Sequence, residues 1–323
     1  MRSFLSPSQR TLFALRHAIG RTDRPTLRID TGLASALSNS LEFGAIAVSF
    51  GTPGPHNKKT LLLLDSSDHG IAFAKLADRE TTRRLLENEA HWLEKLAVAG
   101  SRDLRVPRLV ALSEFDGGLI LVQSSLSGKR PRGQPDLPHA AFLKGLHDLG
   151  RRTMPWCETR ACTNIDQAFE SCSRILPRTW VDRYSKVTDA LRRELRRPFE
   201  AVPAHRDFVP WNTKLVDTEL CVFDWEYATQ DYPPAHDVFH YILLPRVLQR
   251  ASLRGPNEVL KATSKFMNKF GLAEIAREAL HLQLLAYLLD VCGLYIGSWE
   301  QWKEDRVVER YAGMIDQLLE TMK

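Results

Sequence analysis

The sequence of 323 residues has little cysteine: only Cys157, Cys162, Cys172, Cys221 and Cys292. Their number is odd and their spacing matches no paired metal-binding motif, which argues against a disulfide framework and a cysteine-bound metal. Nothing in the pattern supports thiol catalysis. Such cysteine usage is typical of a reducing compartment, so we expect a cytoplasmic protein.

The sequence also lacks an uninterrupted apolar run of the length that spans a membrane. Its most apolar stretch, LHLQLLAYLLDVCGLYIG, is interrupted by His281, Gln283 and Asp290, which predicts a buried core helix. No secretory signal is visible at the start. A basic, serine-containing start resembles an organelle transit peptide, but a surface helix in SQRTLFALRHAIG is the preferred interpretation.

A strong excess of charge is missing as well. The formal net charge is +5, which is modest for this length and does not by itself indicate nucleic-acid binding. Basic residues are concentrated in the middle third, for example at Arg151, Arg152, Arg192 and Arg193. We interpret them as solvated helix faces, with an anion-attracting surface as the alternative.

The chain changes character near residue 125. Short apolar runs precede it (AIAVSF, KKTLLLLD, GIAFAKLA, RLVALSEF and LILVQSSL) and predict antiparallel strands joined by Gly-, Pro- and Asp-containing turns. Between the third and fourth runs, RETTRRLLENEAHWLEKLAVAG has helical spacing and ends at Gly100. The predicted order is three strands, one helix and two strands.

After a polar connector the sequence is mostly helical in its apolar periodicity, except for a loop and strands between Pro203 and Ala228. We therefore predict an α+β fold of two lobes. The predicted domains are an N-terminal extension (1–42), a small antiparallel β lobe with one helix (43–125) and a larger helical lobe (126–323).

The polar segment HRDFVPWNT interrupts the apolar pattern and carries Asp207 and Asn212. If a hairpin around DTE follows, the returning strand brings Asp224 beside Asn212. A carboxylate and an amide oxygen suit Mg²⁺, and Asp207 remains to accept a hydroxyl proton, which is the division of roles that phosphoryl transfer needs. The alternative is an ordinary turn, since Asp and Asn are common turn residues.

A second signal is Lys75, which lies within the predicted strand GIAFAKLA. Its ammonium needs an anionic partner, and Glu89 on the following helix can supply one. A lysine held in this way grips ATP phosphates. The alternative is an edge-strand lysine with an unrelated glutamate. The turn FGTPGPHNKK, which contains Gly54 and Asn57, supplies backbone N–H groups for phosphates only weakly, because it is not a G-x-G-x-x-G loop.

Together these segments resemble the aminoglycoside phosphotransferase and choline kinase-like family, the small-molecule branch of the protein-kinase-like fold. The resemblance spans roughly residues 43 to 300 and is carried by HRDFVPWNT, VFDWEYA and DYPPAHDVFHYI, with NEAHWLEKL and FLKGLHDLG in support. It implies a small-molecule kinase that uses Mg²⁺ and ATP, or else GTP, to phosphorylate a hydroxyl group.

The resemblance also implies roles for individual residues. Asp207 is the expected catalytic base, Asn212 and Asp224 the metal ligands, Lys75 the phosphate-binding lysine and Glu89 its ion-pair partner.

Further positions follow from the same resemblance. Gln123 and Ser125 fall where the hinge of the family offers backbone groups to adenine. Asp237 is the expected buried aspartate that holds the catalytic loop, and His205 is expected to be a packing residue.

Two positions depart from or add to the family pattern. Arg206 stands where the family usually has a small residue, and Glu226 is either a further metal or structural carboxylate or a turn cap. The marks of a protein kinase downstream of the loop are missing, because DWE replaces D-F-G, so a protein substrate is disfavoured.

The basic middle third argues mildly against polycationic aminoglycosides and for a neutral or anionic hydroxyl compound. We expect no nucleic-acid partner and no membrane span. Two alternatives are a pseudokinase that binds nucleotide without phosphotransfer and a helical scaffold whose basic surface recruits nucleic acid.

Overall fold

The structure, a computed structural model, describes residues 31–50, 58–100, 104–131, 133–249, 255–298 and 302–322. The helix predicted in SQRTLFALRHAIG lies outside these ranges. The chain divides into two compact units. Unit 1 comprises the described residues up to Gly100 with 106–129 and 221–227, and unit 2 comprises those of 101–105, 130–220 and 228–323.

Unit 1 is built on an antiparallel sheet of five strands: β1 (Ala45–Phe50), β2 (Lys59–Leu64), β3 (Gly70–Ala77), β4 (Leu109–Phe115) and β5 (Gly118–Ser124). The strand order is β1-β2-β3-β5-β4, so β3 is central. All five strands and the helix between β3 and β4 confirm the predicted order.

The two faces of this sheet are covered by different elements. Helix α1 (Thr31–Ser38) buries Leu37 against one face, together with alternate side chains of β2, β3 and β5. Helix α2 (Glu80–Ala99) buries Leu86 and Ala90 against the other face. Because successive side chains of a strand point to opposite faces, Ala74 contacts the first cluster and Lys75 lies on the α2 face.

Helix α2 has recognisable ends. At its start the backbone N–H of Arg79 donates to Oγ1 of Thr82, over 3.3 Å. At its end Gly100 takes a left-handed conformation with φ of 60°, which a residue without Cβ adopts without steric cost. The helix therefore stops where the sequence predicts, and its length sets which residues face the sheet.

Unit 2 is mainly helical. Its helices are α3 (Leu137–Asp148), α4 (Arg160–Cys172), α5 (Arg178–Glu194), α6 (His236–Leu248), α7 (Pro256–Phe270), α8 (Arg277–Ser298) and α9 (Arg306–Thr321). Strands β6 (Arg152–Met154), β7 (Phe199–Ala204) and β10 (Thr229–Tyr232) form an antiparallel sheet in the order β10-β7-β6. The predicted hairpin is present as β8 (Thr213–Val216) and β9 (Glu219–Val222).

Helix α8 contains the most apolar stretch of the sequence. Among the described residues it is the one helix whose length and mean hydropathy of 1.6 are compatible with crossing a membrane. Its side chains from Leu282 to Cys292 are buried within unit 2. The polar side chains Gln283 and Asp290 are buried along with the apolar ones and hydrogen-bond to other residues of the unit.

Three elements of unit 2 carry too little apolar patterning to be predicted. Strand β10 has the sequence TQDY, and β6 is only three residues long. Helix α4 is absent from the predictions because small residues such as Ala161 and Cys162 make up much of the face that it buries. These elements form because neighbouring elements pair with them or cover them, and not through local propensity.

We predict opposite effects on stability for alanine at two glycines. A Cβ at Gly118 would lie 2.2 Å from the backbone oxygen of Ala77, so Gly118→Ala should destabilise the protein by about 1–3 kcal/mol. A Cβ at Gly313, inside α9, meets no atom within 4 Å, so Gly313→Ala should stabilise by about 0.5–1 kcal/mol. Urea unfolding measures both changes, and equal effects would contradict the described packing.

Candidate active site

Lys75 is the centre of a charged group in unit 1. Its Nζ lies 2.6 Å and 2.7 Å from the carboxylate oxygens of Glu89 and 2.7 Å from Oδ1 of Asp224. Burial disfavours the charged ammonium, but the carboxylates of Asp224 and Glu89 outweigh burial and raise the pKa of Lys75 above its ordinary value. The ion pair predicted between Lys75 and Glu89 is present, and the two carboxylates favour the charged form of Lys75.

Asp224 is the accessible member of this group. The side chain of Glu89 is fully buried, whereas that of Asp224 is 33% exposed. Asp224 also has a left-handed backbone with φ of 75°, which is uncommon for a residue other than glycine. The backbone here turns directly after β9, so that one carboxylate oxygen binds Lys75 while the side chain remains partly exposed.

The residues beside Asp224 fasten it to α2. Trp225 is fully buried, stacks on Trp92 of α2 with ring centroids 6.1 Å apart, and donates its indole N–H to the carbonyl of Val222 over 3.0 Å. The side-chain amide of Asn88, also on α2, donates to the carbonyl of Glu226 over 2.9 Å. The DWE segment is therefore held against the helix that carries Glu89.

Glu226 completes a cluster of carboxylates. One oxygen each from Glu89, Asp224 and Glu226 lies within 4.8 Å of the others, and the ammonium of Lys58 pairs with Glu226. We call these three carboxylates with Lys58 and Lys75 the lysine cluster. Three carboxylates face two ammonium groups, which leaves one negative charge in excess. An oxygen-donor set of this charge suits a hard divalent cation such as Mg²⁺.

The remaining predicted residues of unit 1 have separate surroundings. Gln123 lies directly opposite Phe73 and so shares the sheet face of Lys75; it is buried, and its amide oxygen has no hydrogen-bond partner in the described part of the chain. Ser125 donates its N–H to the carbonyl of Ile71 over 3.0 Å, so that group is already engaged. Gly54 and Asn57 lie outside the described residues.

In unit 2, Asp237 holds the loop that follows β7. Its carboxylate accepts the backbone N–H of His205 over 2.7 Å and that of Arg206 over 2.9 Å. Although burial opposes its charge, hydrogen bonding and charge from His236 lower the pKa of Asp237 to about 2. Asp237 is therefore a buried anion that fixes the loop backbone, which confirms its predicted role.

Asp207 and Asn212 lie together on this loop. The amide nitrogen of Asn212 donates to Oδ2 of Asp207 over 2.6 Å and to its backbone carbonyl over 3.1 Å. His205 is fully buried, packs edge-on against Phe208 and accepts the N–H of Asp207 at Nδ1 over 3.2 Å, as expected of a packing residue. The Asp207 side chain is 26% exposed, so a ligand can reach it.

Arg206, the unusual residue of the loop, points into unit 2. Its guanidinium makes hydrogen bonds of 2.8–3.2 Å to both carboxylate oxygens of Asp290 on α8, and it lies over the ring of Tyr232. Its backbone φ is 64°, in the left-handed region. This conformation explains why a small residue is usual here, and the ion pair explains how an arginine is accommodated.

Asp290 receives further hydrogen bonds. Tyr232 donates to its Oδ1 over 3.2 Å, and Nε2 of His236 lies 3.2 Å from its Oδ2. Burial opposes its charge, but Arg206 and His236 lower the pKa of Asp290 to about 2. The guanidinium of Arg206, the carboxylate of Asp290 and the imidazole of His236 thus form a buried network beside the loop.

Two residues of this region are absent from the sequence predictions. Asp290 interrupts an apolar helix, which is a signal that a buried partner exists, but the sequence does not identify Arg206 as that partner. His240, on α6, lies with Nε2 3.2 Å from Oδ1 of Asp207. A lone histidine in an apolar helix gives little indication of such a contact.

The chain was compared with known proteins. The sequence model of the phosphotransferase enzyme family (APH) matches residues 61–263. A search of curated proteins gave no match.

Solved structures are similar in fold. A protein assigned as a fructosamine-3-kinase from Haemophilus somnus 129PT has a TM-score of 0.61 at 13% identity, covering 89% of this chain and 97% of its own. A thermostable mutant of aminoglycoside phosphotransferase APH(4)-Ia, in a ternary complex with AMP-PNP and hygromycin B, has a TM-score of 0.62 at 13% identity. The match covers 90% of this chain and 99% of that one. APH(2")-IIa in complex with gentamicin has a TM-score of 0.57 at 13% identity, covering 90% of this chain and 97% of its own.

We predict that the conformation of Arg206 separates two substitutions at that position. Arg206→Ala should destabilise the protein by about 3–5 kcal/mol, because it leaves the buried Asp290 carboxylate without its main counter-charge. Arg206→Gly loses the same pair but suits the left-handed backbone, so it should be about 1 kcal/mol more stable than the alanine variant. Denaturant unfolding gives both values, and an alanine variant as stable as the glycine variant would contradict the described backbone.

We also predict a loss of stability in acid. Because the pKa values of Asp237 and Asp290 are about 2 in the folded chain against 3.8 ordinarily, their ionised forms favour folding above the ordinary value. As pH falls from about 5 to 2, protonation of each carboxylate should lower the free energy of unfolding by on the order of 2 kcal/mol. Unfolding followed across this range should be less steep in pH for Asp290→Asn than for the wild type; equal slopes would contradict the assignment.

Proposed function

Because the chain belongs to the phosphotransferase enzyme family, we propose that it transfers the γ-phosphoryl group of ATP to a hydroxyl group of a small molecule with Mg²⁺. The observation that carries the proposal is the buried ammonium of Lys75 between Glu89 and Asp224. A fixed cation beside an accessible carboxylate is suited to binding a metal-bound triphosphate.

In this proposal the ammonium of Lys75 is the part of the lysine cluster that binds the phosphates. Lys75 contacts the phosphate oxygens, and Glu89 keeps the ammonium in place. Through the family resemblance, Asp224 and Asn212 are the proposed ligands of Mg²⁺, and the partly exposed Asp224 carboxylate and the oxygen chemistry of both side chains fit this ion. When bound, the ion neutralises negative charge on the phosphates.

Asp207 is the proposed general base. With Oδ2 held by Asn212, its carboxylate has a defined orientation and is accessible to an acceptor. In the reaction the acceptor oxygen forms a bond to the γ-phosphorus, the bond from that phosphorus to the bridging oxygen breaks, and Asp207 accepts the hydroxyl proton. ADP and a phosphomonoester are the products.

The other site residues are proposed to bind the nucleotide around its base and phosphates. The buried amide oxygen of Gln123 lies on the same sheet face as Lys75. This position supports a role for Gln123 beside the adenine base of the nucleotide. Gly54, Asn57 and Ser125 belong to the proposal through the family resemblance. The odd number of cysteines and the lack of a paired metal-binding spacing support a cytoplasmic site of action.

The acceptor is proposed to be a neutral or anionic hydroxyl compound. The names of similar structures connect the fold with fructosamine, hygromycin B and gentamicin. The concentration of basic residues in the middle third of the sequence argues against a polycation as the acceptor of this chain. Screening ADP release on sugars, amino alcohols, fructosamines and aminoglycosides at constant ionic strength therefore tests both the reaction and the acceptor class.

We predict separate effects for three isosteric substitutions in the loop and hairpin region. Asp207→Asn should lower turnover about 10²- to 10⁴-fold, because the base is lost, while the thermal stabilisation by MgATP remains. Asp224→Asn should lose the part of that stabilisation that requires Mg²⁺. Asp217→Asn, at the exposed hairpin turn between β8 and β9, is the matched control and should behave as wild type.

Wild-type turnover in Asp207→Asn would contradict the proposed mechanism. If the wild type is stabilised by nucleotide yet releases no ADP with any acceptor, the pseudokinase interpretation replaces the kinase.

A further inference from the structure

His240 lies in the core of unit 2 and contacts the proposed base directly. It is on α6, three residues after Asp237, and its side chain is only 5% exposed. The residues around it on this helix, among them Phe239 and Ile242, are buried and apolar. Burial of an imidazole costs less free energy when both ring nitrogens have hydrogen-bond partners.

Both ring nitrogens have such partners. Nε2 lies 3.2 Å from Oδ1 of Asp207, and Nδ1 lies 3.1 Å from the hydroxyl of Tyr287 on α8. The hydroxyl of Tyr287 lies 2.9 Å from that of Tyr311 on α9. A row of hydrogen-bonding groups therefore leads from the loop through three helices into the interior.

The chemistry of these groups fixes which of them donates in each hydrogen bond of the row. An ionised carboxylate only accepts hydrogen bonds, so Nε2 of His240 carries the proton and donates to Asp207. With one proton on the ring, Nδ1 accepts the hydroxyl proton of Tyr287, whose oxygen then accepts that of Tyr311. Tyr287 thereby selects the tautomer of His240.

The two oxygens of Asp207 are thus held from different sides. Asn212 donates to Oδ2 over 2.6 Å, and His240 donates to Oδ1 over 3.2 Å. Asn212 is near Asp207 in sequence and shares its loop, whereas His240 belongs to a packed helix. Asn212 therefore holds the carboxylate from within the loop, whereas His240 ties it to a packed helix outside the loop.

A neighbouring histidine shows that the arrangement is specific. The ring of His236 stacks on that of His240 with centroids 6.5 Å apart. His236, however, binds Asp290, while His240 binds Asp207. Helix α6 thus supports the loop at two points, at its backbone through Asp237 and at the side chain of Asp207 through His240.

We propose that His240 is a positioning residue for the base: its Nε2–H, held in that tautomer by Tyr287, fixes the rotation of the Asp207 carboxylate toward the acceptor hydroxyl. This inference rests on the proposed function. It assigns to His240 an effect on turnover without an effect on nucleotide binding, because the lysine cluster is made of other residues.

Two amide substitutions at His240 separate positioning from packing. A glutamine amide nitrogen reaches the place of Nε2, whereas an asparagine amide reaches only the place of Nδ1. His240→Asn should lower kcat about 10- to 100-fold, with KM for MgATP within about twofold of wild type. His240→Gln should recover most of the lost rate. Tyr311→Phe, which removes the hydroxyl farthest from Asp207, is the matched control and should keep wild-type kcat.

These rates are measured as ADP release with the acceptor found by the panel, or with water as acceptor if hydrolysis is detectable. Wild-type kcat in His240→Asn would overturn the proposal. A glutamine variant as slow as the asparagine variant, with both folded by circular dichroism, would overturn it as well.

The tautomer is tested without turnover. In the wild-type protein labelled with ¹⁵N-histidine, long-range ¹H–¹⁵N spectra should show His240 protonated at Nε2, and Tyr287→Phe should weaken that preference. Protonation at Nδ1 alone would refute the proposal. If no acceptor supports ADP release, the proposed function fails, while these spectra still decide whether His240 donates to Asp207.

Discussion

The ammonium of Lys75 is removed from water, and the arrangement of unit 1 follows from the need to compensate that charge. A buried cation without partners is strongly unfavourable, whereas one between two carboxylates is stable and rigid. Glu89 reaches it because α2 covers the same sheet face. Asp224 reaches it because the chain turns sharply after β9. Trp225 then fastens this turn to α2 through Trp92.

Unit 2 is subject to the same need to compensate buried charge, but there the buried charges are negative. There the buried charges at the loop are carboxylates, and each is compensated by groups of the loop and by His236 of α6. Asp237 accepts two backbone N–H groups, and Asp290 binds the side chain of Arg206. The loop is therefore fixed by long-range polar contacts and not by its own sequence, which explains how it carries an arginine in a left-handed conformation.

Much of the fold is predictable from local patterns. The five strands of unit 1, α2 and the long helices of unit 2 follow from apolar spacing, and the tandem of Asp207 and Asn212 lies within five residues of sequence. Contacts across the chain are not predictable in this way. His240 is 33 residues from Asp207 and Asp290 is 84 from Arg206, so only the packing of α6 and α8 brings them together. Short strands such as β10 depend on a partner strand in the same manner.

The path of the chain through the two units limits how the protein can be divided. Unit 1 takes in residues 221–227, which the chain reaches only after half of unit 2 has been synthesised. A fragment that ends at Lys129 would lack Asp224, Trp225 and Glu226, so its Lys75 would keep Glu89 and lose its second carboxylate. The five strands of the sheet are thus contiguous in sequence. The charged centre on the sheet, however, is completed only when residues 221–227 have been synthesised.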